Sequence, residues 1–176
     1  MVRVSALVSL VFAVAAVARP LPYLESAVIK RAAFVEQDYA AVQISDGVTG
    51  NAQAEAAKVF VDPFAGRDLA TVTAAELKAV QTMREAAEAA ETDKFNPEIK
   101  AASGAEATAL QNGKIKNKVF KLTAEVQALN IKIAEGKAAG KDVSSSETSL
   151  AAEQKKLNNN IATDKKNAGQ ASKGVA

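Results

Sequence analysis

The chain has 176 residues, with 22 Lys+Arg against 20 Asp+Glu and no His, Cys or Trp. Without His or Cys, a His-based catalytic triad, thiol chemistry and soft-metal sites are excluded, leaving only oxygen ligands for a cation. A net charge of +2 is too slight to suggest a nucleic-acid partner, and residues 1–31 carry four basic side chains against one acidic.

Those first residues read as two processing signals in series. Arg3 opens a positive n-region, and an apolar run extends from Val4 to Ala18. Ala16-Val17-Ala18 has the small-x-small pattern of a signal-peptidase site, where only short side chains fit the specificity pockets. At about 15 residues the run is short for a bilayer span, so residues 1–18 read as a signal peptide. Residues 19–31 read as a propeptide, because Lys30-Arg31 is a dibasic site of the type cut by kexin-like secretory proteases. The expected product is a secreted, extracellular protein that begins at Ala32 and is not transmembrane.

That product has 18 basic and 19 acidic residues. Residues 32–113 hold 6 basic and 13 acidic, a net −7, and residues 114–176 hold 12 and 6, a net +6. The expectation is an acidic half docked on a basic half within one domain. The alternative is a basic stripe that meets anionic lipid or polysaccharide. Small secreted domains commonly need disulfides, but residues 32–176 are long enough to fold on a core alone.

Along the chain, a first helix is expected from about Phe34 to Phe60, in one piece or two. Val42, Val48, Ala52, Ala56 and Val59 form its stripe, with breaks near Asp46-Gly47 and Gly50-Asn51. Asp62-Pro63-Phe64-Ala65-Gly66 ends it, since Pro lacks an N–H donor and Gly frees the backbone. Thr73-Ala74-Ala75-Glu76 is a capping box that opens a second helix to about Thr92, with Leu77, Val80, Met83, Ala87 and Ala90 inward. Asn96-Pro97-Glu98 starts one short turn. The third helix is expected from about Ala105 to Glu135. Ile115, Leu122 and Leu129 alternate there with Val119, Val126 and Ile133 in a strict heptad seam. Gly136 ends it, and a loop leads to Ser144-Ser145-Ser146-Glu147, a second capping box. The fourth helix runs to about Ala168 on a stripe of Leu150, Gln154, Leu157 and Ile161, and residues 170–176 are expected to fray. The fold class that follows is all-α, an antiparallel bundle of about four helices with a long C-terminal helical hairpin.

No constellation points to catalysis, a metal or a cofactor. Ser144 to Ser146 serve as a cap, and Lys141 beside them completes only a formal Ser–Lys dyad. Glu85, Glu88, Glu91 and Asp93 crowd the end of the second helix, but glycosidase chemistry needs two carboxylates across a cleft and aromatic platforms for the sugar. The run reads as a solvated helix face. Asn158-Asn159-Asn160 reads as a polar face with Asn160 partly inward. Gly47 and Gly50 lack the Gly-Lys-Ser/Thr ending of a P-loop, and close backbone contact or a cap at Ser45 or Asp46 explains them.

Three segments carry a resemblance: residues 43–52 (QISDGVTGNA), 110–119 (LQNGKIKNKV) and 152–161 (AEQKKLNNNI). Together they resemble a family of fungal small secreted proteins, over most of the chain from about Ala40 to Lys173. The resemblance implies an extracellular fungal protein of the kind grouped with candidate effectors, with no catalytic motif to transfer. The expected function is therefore non-enzymatic binding of an extracellular partner, a host or cell-wall component. The alternative is a surface-active, lipid-binding helical protein whose bundle opens to expose the heptad seam.

Overall fold

A computed structural model describes residues 32–176. The signal-peptidase site at Ala16 and Ala18 and the dibasic Lys30-Arg31 lie outside the described residues.

The architecture is all-α, built around one long central helix. That helix, α5 (Gly104–Ala138), packs antiparallel along α6 (Ser144–Lys166) and is also covered by α2 (Ala52–Phe60) and α3 (Ala74–Ala89). Two short helices, α1 (Tyr39–Val42) and α4 (Asn96–Ala101), fill the periphery. A two-residue antiparallel sheet pairs β1 (Gly47–Val48) with β2 (Ala171–Ser172), Gly47 opposite Ser172.

The heptad seam accounts for only part of what α5 buries. Val119, Leu122, Leu129 and Ile133 are buried as the spacing predicts, but Ile115 and Val126 are half-exposed. Phe120, Ala124, Ala128 and Ile131, all off the seam, are buried. A seam serves a single partner, whereas three helices here share α5 and need apolar residues over most of its girth. Phe120 meets Phe60 of α2 edge-on at 4.7 Å and Tyr39 of α1 at 6.3 Å. Phe34 extends this cluster from Phe60, at 6.4 Å, and joins Phe64 to it at 5.1 Å.

The expected breaks at Gly47 and Gly50 occur, but most of the chain before them is not helical either. Residues 32–38 form no regular element, α1 lasts one turn, and residues 43–51 are irregular apart from β1. Gly47 and Gly50 take φ of +87° and +113°, a region closed to most side chains, so no helix can pass through them. Val48, predicted inward, is 52% exposed. Neither Ser45 nor Asp46 caps α2. Asp164 of α6 does so from across the fold, accepting the Gly50 and Ala52 N–H groups at 2.9 and 3.0 Å.

The capping box at Thr73 and Glu76 forms as predicted and then does more. The Glu76 carboxylate is 3% exposed and accepts Arg67 at both oxygens, at 2.7 and 3.0 Å. It also accepts the Thr73 N–H and hydroxyl, and the N–H of Phe34 at 3.0 Å. One carboxylate thus fixes the start of α3 and the segment around Phe34.

Downstream, the helix does not stop at Thr92. It widens into a π-helical segment, Ala90–Phe95, and continues as α4 to Ala101. Asn96 donates to the Glu91 carbonyl, five residues back. The wider register accommodates Pro97, which has no N–H to give, in the first turn of α4. It also turns Phe95 fully inward against Gly113.

The second capping box does not form. Asp142 accepts the Ser144 N–H at 2.9 Å, and Glu147 pairs instead with Lys137 at 2.7 Å. Nor does the tail fray. Beyond β2, Lys173 N donates to the Ala109 carbonyl at 3.0 Å and Gly174 N to the Asp46 carboxylate at 2.7 Å. The tail crosses α5 at Gly113, where an added Cβ would lie 1.9 Å from the Lys173 oxygen.

Gly113→Ala should therefore lower the unfolding free energy by about 1–3 kcal/mol despite alanine's better helix propensity. The Lys173 and Gly174 amides should lose hydrogen-exchange protection; unchanged protection would contradict this packing. Glu76→Gln should cost about 3 kcal/mol near neutral pH, because it leaves Arg67 without its charge partner. The Arg67 guanidinium holds the Glu76 carboxyl far below the ordinary carboxylate range; burial opposes this, and the Thr73 and Phe34 N–H groups reinforce it. A depressed value means the contribution is complete above the unfolded-state value and lost as pH falls through the folded one. The gap between wild type and variant should thus stay constant above about pH 5, narrow progressively below it and close only in strong acid. Denaturant titrations across that range would measure it.

Candidate functional site

A groove of about 540 Å³ runs between α3 with its π-helical extension, α5 and α6. Its walls carry Arg84, Glu88 and Glu91 on one side, Lys118, Lys121 and Glu125 on α5, and Glu153, Lys156 and Asn160 on α6. Its volume lies in the range of small-ligand sites, but its lining is charged where such sites are mostly apolar.

The helical spacing explains how the charges meet. Lys114, Lys118 and Lys121 follow one another at four and three residues, which puts them on one face of α5. Glu88 and Glu91 are three apart and face that row. Lys121 Nζ lies 2.9 Å from Glu88 and 2.7 Å from Glu91, and Lys118 lies 3.2 Å from Glu91. On the same groove Arg84 pairs with Glu125 at 3.0 Å, and Lys156 with Glu153 at 2.8 Å.

The run read as a solvated face is therefore divided. Asp93 and Glu85 are exposed, but the Glu91 side chain is only 12% exposed and sits inside the ion-pair network. Sequence reasoning saw the carboxylates and missed their partners. The signal was available in the matching spacings of Glu88-Glu91 and Lys118-Lys121. The docking of an acidic half on a basic half is realised here, and again where Glu55 meets Lys116 and Glu106 meets Lys173.

The electrostatics of the network are one-directional. Burial disfavours ionised Glu91, but Lys121 and Lys118 outweigh it and hold the carboxyl below its ordinary value. Burial likewise opposes the Lys121 charge, and Glu91 and Glu88 outweigh it and raise the ammonium's value. A general acid needs the opposite shift, toward a retained proton. Glu88 and Glu91 also stand on one wall rather than across a cleft, both on the same ammonium. The arrangement suits hydrogen bonding to polar groups of a ligand.

The remaining sequence candidates do not converge on this groove, Asn160 apart. Ser144 and its neighbours lie in the first turn of α6, with Ser144 turned to Asp142. Among the described residues no hydrogen bond joins them to Lys141. Asn158 accepts from Gln154, and half-buried Asn160 donates to the Lys156 carbonyl. Gly50 packs against Ala168 just past α6, where an added Cβ would come within 2.9 Å. Among the described residues no group of three or more acidic side chains is placed to hold a metal ion, and no helix is long and apolar enough to cross a membrane.

Comparison with known families gives one match. Residues 34–176 match DUF8454, described as a domain of unknown function. The chain belongs to the DUF8454 family. No curated protein and no solved structure shows a significant match. The DUF8454 match begins at Phe34, the first buried residue of the described chain, whose N–H is held by Glu76.

Glu91→Gln should lower the unfolding free energy by about 1–2 kcal/mol, since it removes charge-assisted bonds from two lysines. The effect should be full above the ordinary carboxylate range and fade as pH falls, because the folded value is depressed. Equal stability of the two proteins at neutral pH would show that the network is solvated after all.

Proposed function

We propose that this chain is a secreted, non-enzymatic binding protein, a fungal small secreted protein of the candidate-effector kind that engages a host or cell-wall component. The observation that carries the reading is the groove between α3, α5 and α6. Each of its carboxylates faces an ammonium or guanidinium at 3.2 Å or less, and Glu91 is held ionised. A surface built this way offers fixed charges and donors to a ligand without a group poised to move a proton.

One further point supports export. The DUF8454 match starts at Phe34, immediately beyond the dibasic Lys30-Arg31 and its two following alanines.

The surface-active alternative needs the hairpin to open. One feature favours it: α6 is 23 residues long but buries only Leu157 and Ile161 among its apolar side chains. Against it stands Asp164, whose two bonds to the start of α2 must break first. The exposed large apolar residues Val35, Val48 and Val61 come from three separate segments.

Expression of the full chain in a secreting fungal host should yield extracellular protein whose N-terminus is Ala32. Recovery only inside the cell would end this reading, and an N-terminus at Arg19 would remove the dibasic step. Phospholipid vesicles should leave helix content and tryptic cleavage unchanged; a clear shift in either would favour the lipid-binding alternative.

A further inference from the structure

The groove is internally neutral, with four basic and four acidic side chains on its walls. The outer face of α6 is not. From Gln154 to Ala176 the chain carries five lysines and one side-chain carboxylate, Asp164. Asp164 is 1% exposed and committed to the Gly50 and Ala52 amides, so it contributes nothing to the surface. Lys156 and Lys173 are neutralised by Glu153 and Glu106. Among the described residues, Lys155 and Lys166 make no ion pair, and Lys165 reaches only the neutral amide of Gln53, at 3.2 Å.

Helix geometry arranges these free charges. Leu157, Ile161 and Asp164 are the buried residues of α6, so positions 155, 159, 162 and 166 fall on the opposite side, one above another. Lys155 and Lys166 stand about 16 Å apart along the axis. Exposed Asn159 and Ala162 lie between them, and Asn158 and Thr163 flank the line, while Lys165 stands about a quarter-turn round, at the α2 edge beside Gln53. The result is an extended strip with point cations at its ends, amide and hydroxyl groups between, and a small residue that keeps the approach open.

We propose that this face of α6 binds an acidic polysaccharide, a chain of uronate type, through Lys155 and Lys166, with Lys165 reaching it from the α2 edge of the helix. The assignment rests on the extracellular reading above and adds to it a second surface, separate from the groove, with a partner class of its own. Ammonium groups match spaced carboxylates, and Asn159, Asn158 and Thr163 match the hydroxyls between them. A membrane fits less well, since an interfacial helix needs large apolar side chains on its lipid face and this one has none. Nucleic acid fits less well too: the strip has no aromatic platform for bases and no arginine fork for phosphate.

The test uses the protein secreted from the full chain, applied to immobilised polygalacturonate and to neutral dextran. Retention is expected on polygalacturonate alone, in low salt (about 0.05 M), and should be lost near 1 M, where exposed charges are screened. Substituting Lys155→Gln, Lys165→Gln and Lys166→Gln together should weaken binding by about tenfold or more. An equal change of net charge at exposed Lys58, Lys78 and Lys132 should alter it by less than about twofold. Equal losses in the two triple variants would overturn the proposal, as would tighter binding to phosphatidylglycerol vesicles or to duplex DNA. Extracellular protein that ignores polygalacturonate would overturn the partner and leave the extracellular reading standing. Protein confined to the cell would overturn both.

Discussion

The Lys116 ammonium is 1% exposed in the middle of the central helix, and a buried cation must be surrounded by oxygen or not be charged at all. Its oxygens come from outside α5: the carbonyls of Asp46 and Val48, each at 3.0 Å, and the Glu55 carboxylate at 3.0 Å. Satisfying one side chain therefore fixes the irregular stretch around β1 and the rotation of α2. With β1 held, β2 has a strand to pair with, and the C-terminal tail is drawn across Gly113. Two neighbours on α5 act the same way. Asn112 donates to the Ala171 carbonyl and accepts from Asn167, while Asn117 accepts from the Tyr39 hydroxyl and donates to the Ala87 carbonyl. The first half of α5 thus uses buried polar groups to capture non-helical chain, and its second half uses Ala124, Ala128 and Ile131 to pack helices.

Charge segregation along the chain has a physical role in this arrangement. The acidic first half and the basic second half meet at the α3–α5 contact, where Glu88 and Glu91 face Lys118 and Lys121. These pairs are partly buried, so water and salt screen them less than a surface pair, and their geometry is shared among several donors. Asp164 follows the same logic from the other direction. It is the only side-chain carboxylate of the last 23 residues, and folding turns it inward to cap α2. That removal leaves the outer face of α6 without a compensating negative charge.

The structure separates two kinds of surface that composition alone merges. The groove is polar but balanced, each carboxylate paired with a cation, and Glu91 is held ionised by Lys121 and Lys118. The α6 face is polar and unbalanced. A near-neutral total hides both, because net charge is a sum and recognition depends on which charges remain after the internal pairs are made.

Much of the fold was legible in local pattern. The helical class, the Thr73–Glu76 box, and the α5–α6 hairpin follow from spacings of three, four and seven residues, which backbone geometry converts directly into faces and caps. The heptad seam identified the central helix but not its girth, because periodicity reports one partner and α5 has several. The box at Ser144 lost its partners locally, to Asp142 and Lys137, but the expected fraying tail and the helical reading of residues 34–51 failed for a common reason. Each depends on partners far along the chain: Ser172 bonds Ser45, Asp164 bonds Gly50 and Ala52, and Lys116 bonds Asp46 and Val48. Local sequence was enough for the long helices α3, α5 and α6 and for where charge accumulates, since both are properties of neighbours. Tertiary structure alone decided which buried polar groups find each other, and hence which charges are left for a partner, because that choice is made only when distant segments compete for the same desolvated atoms.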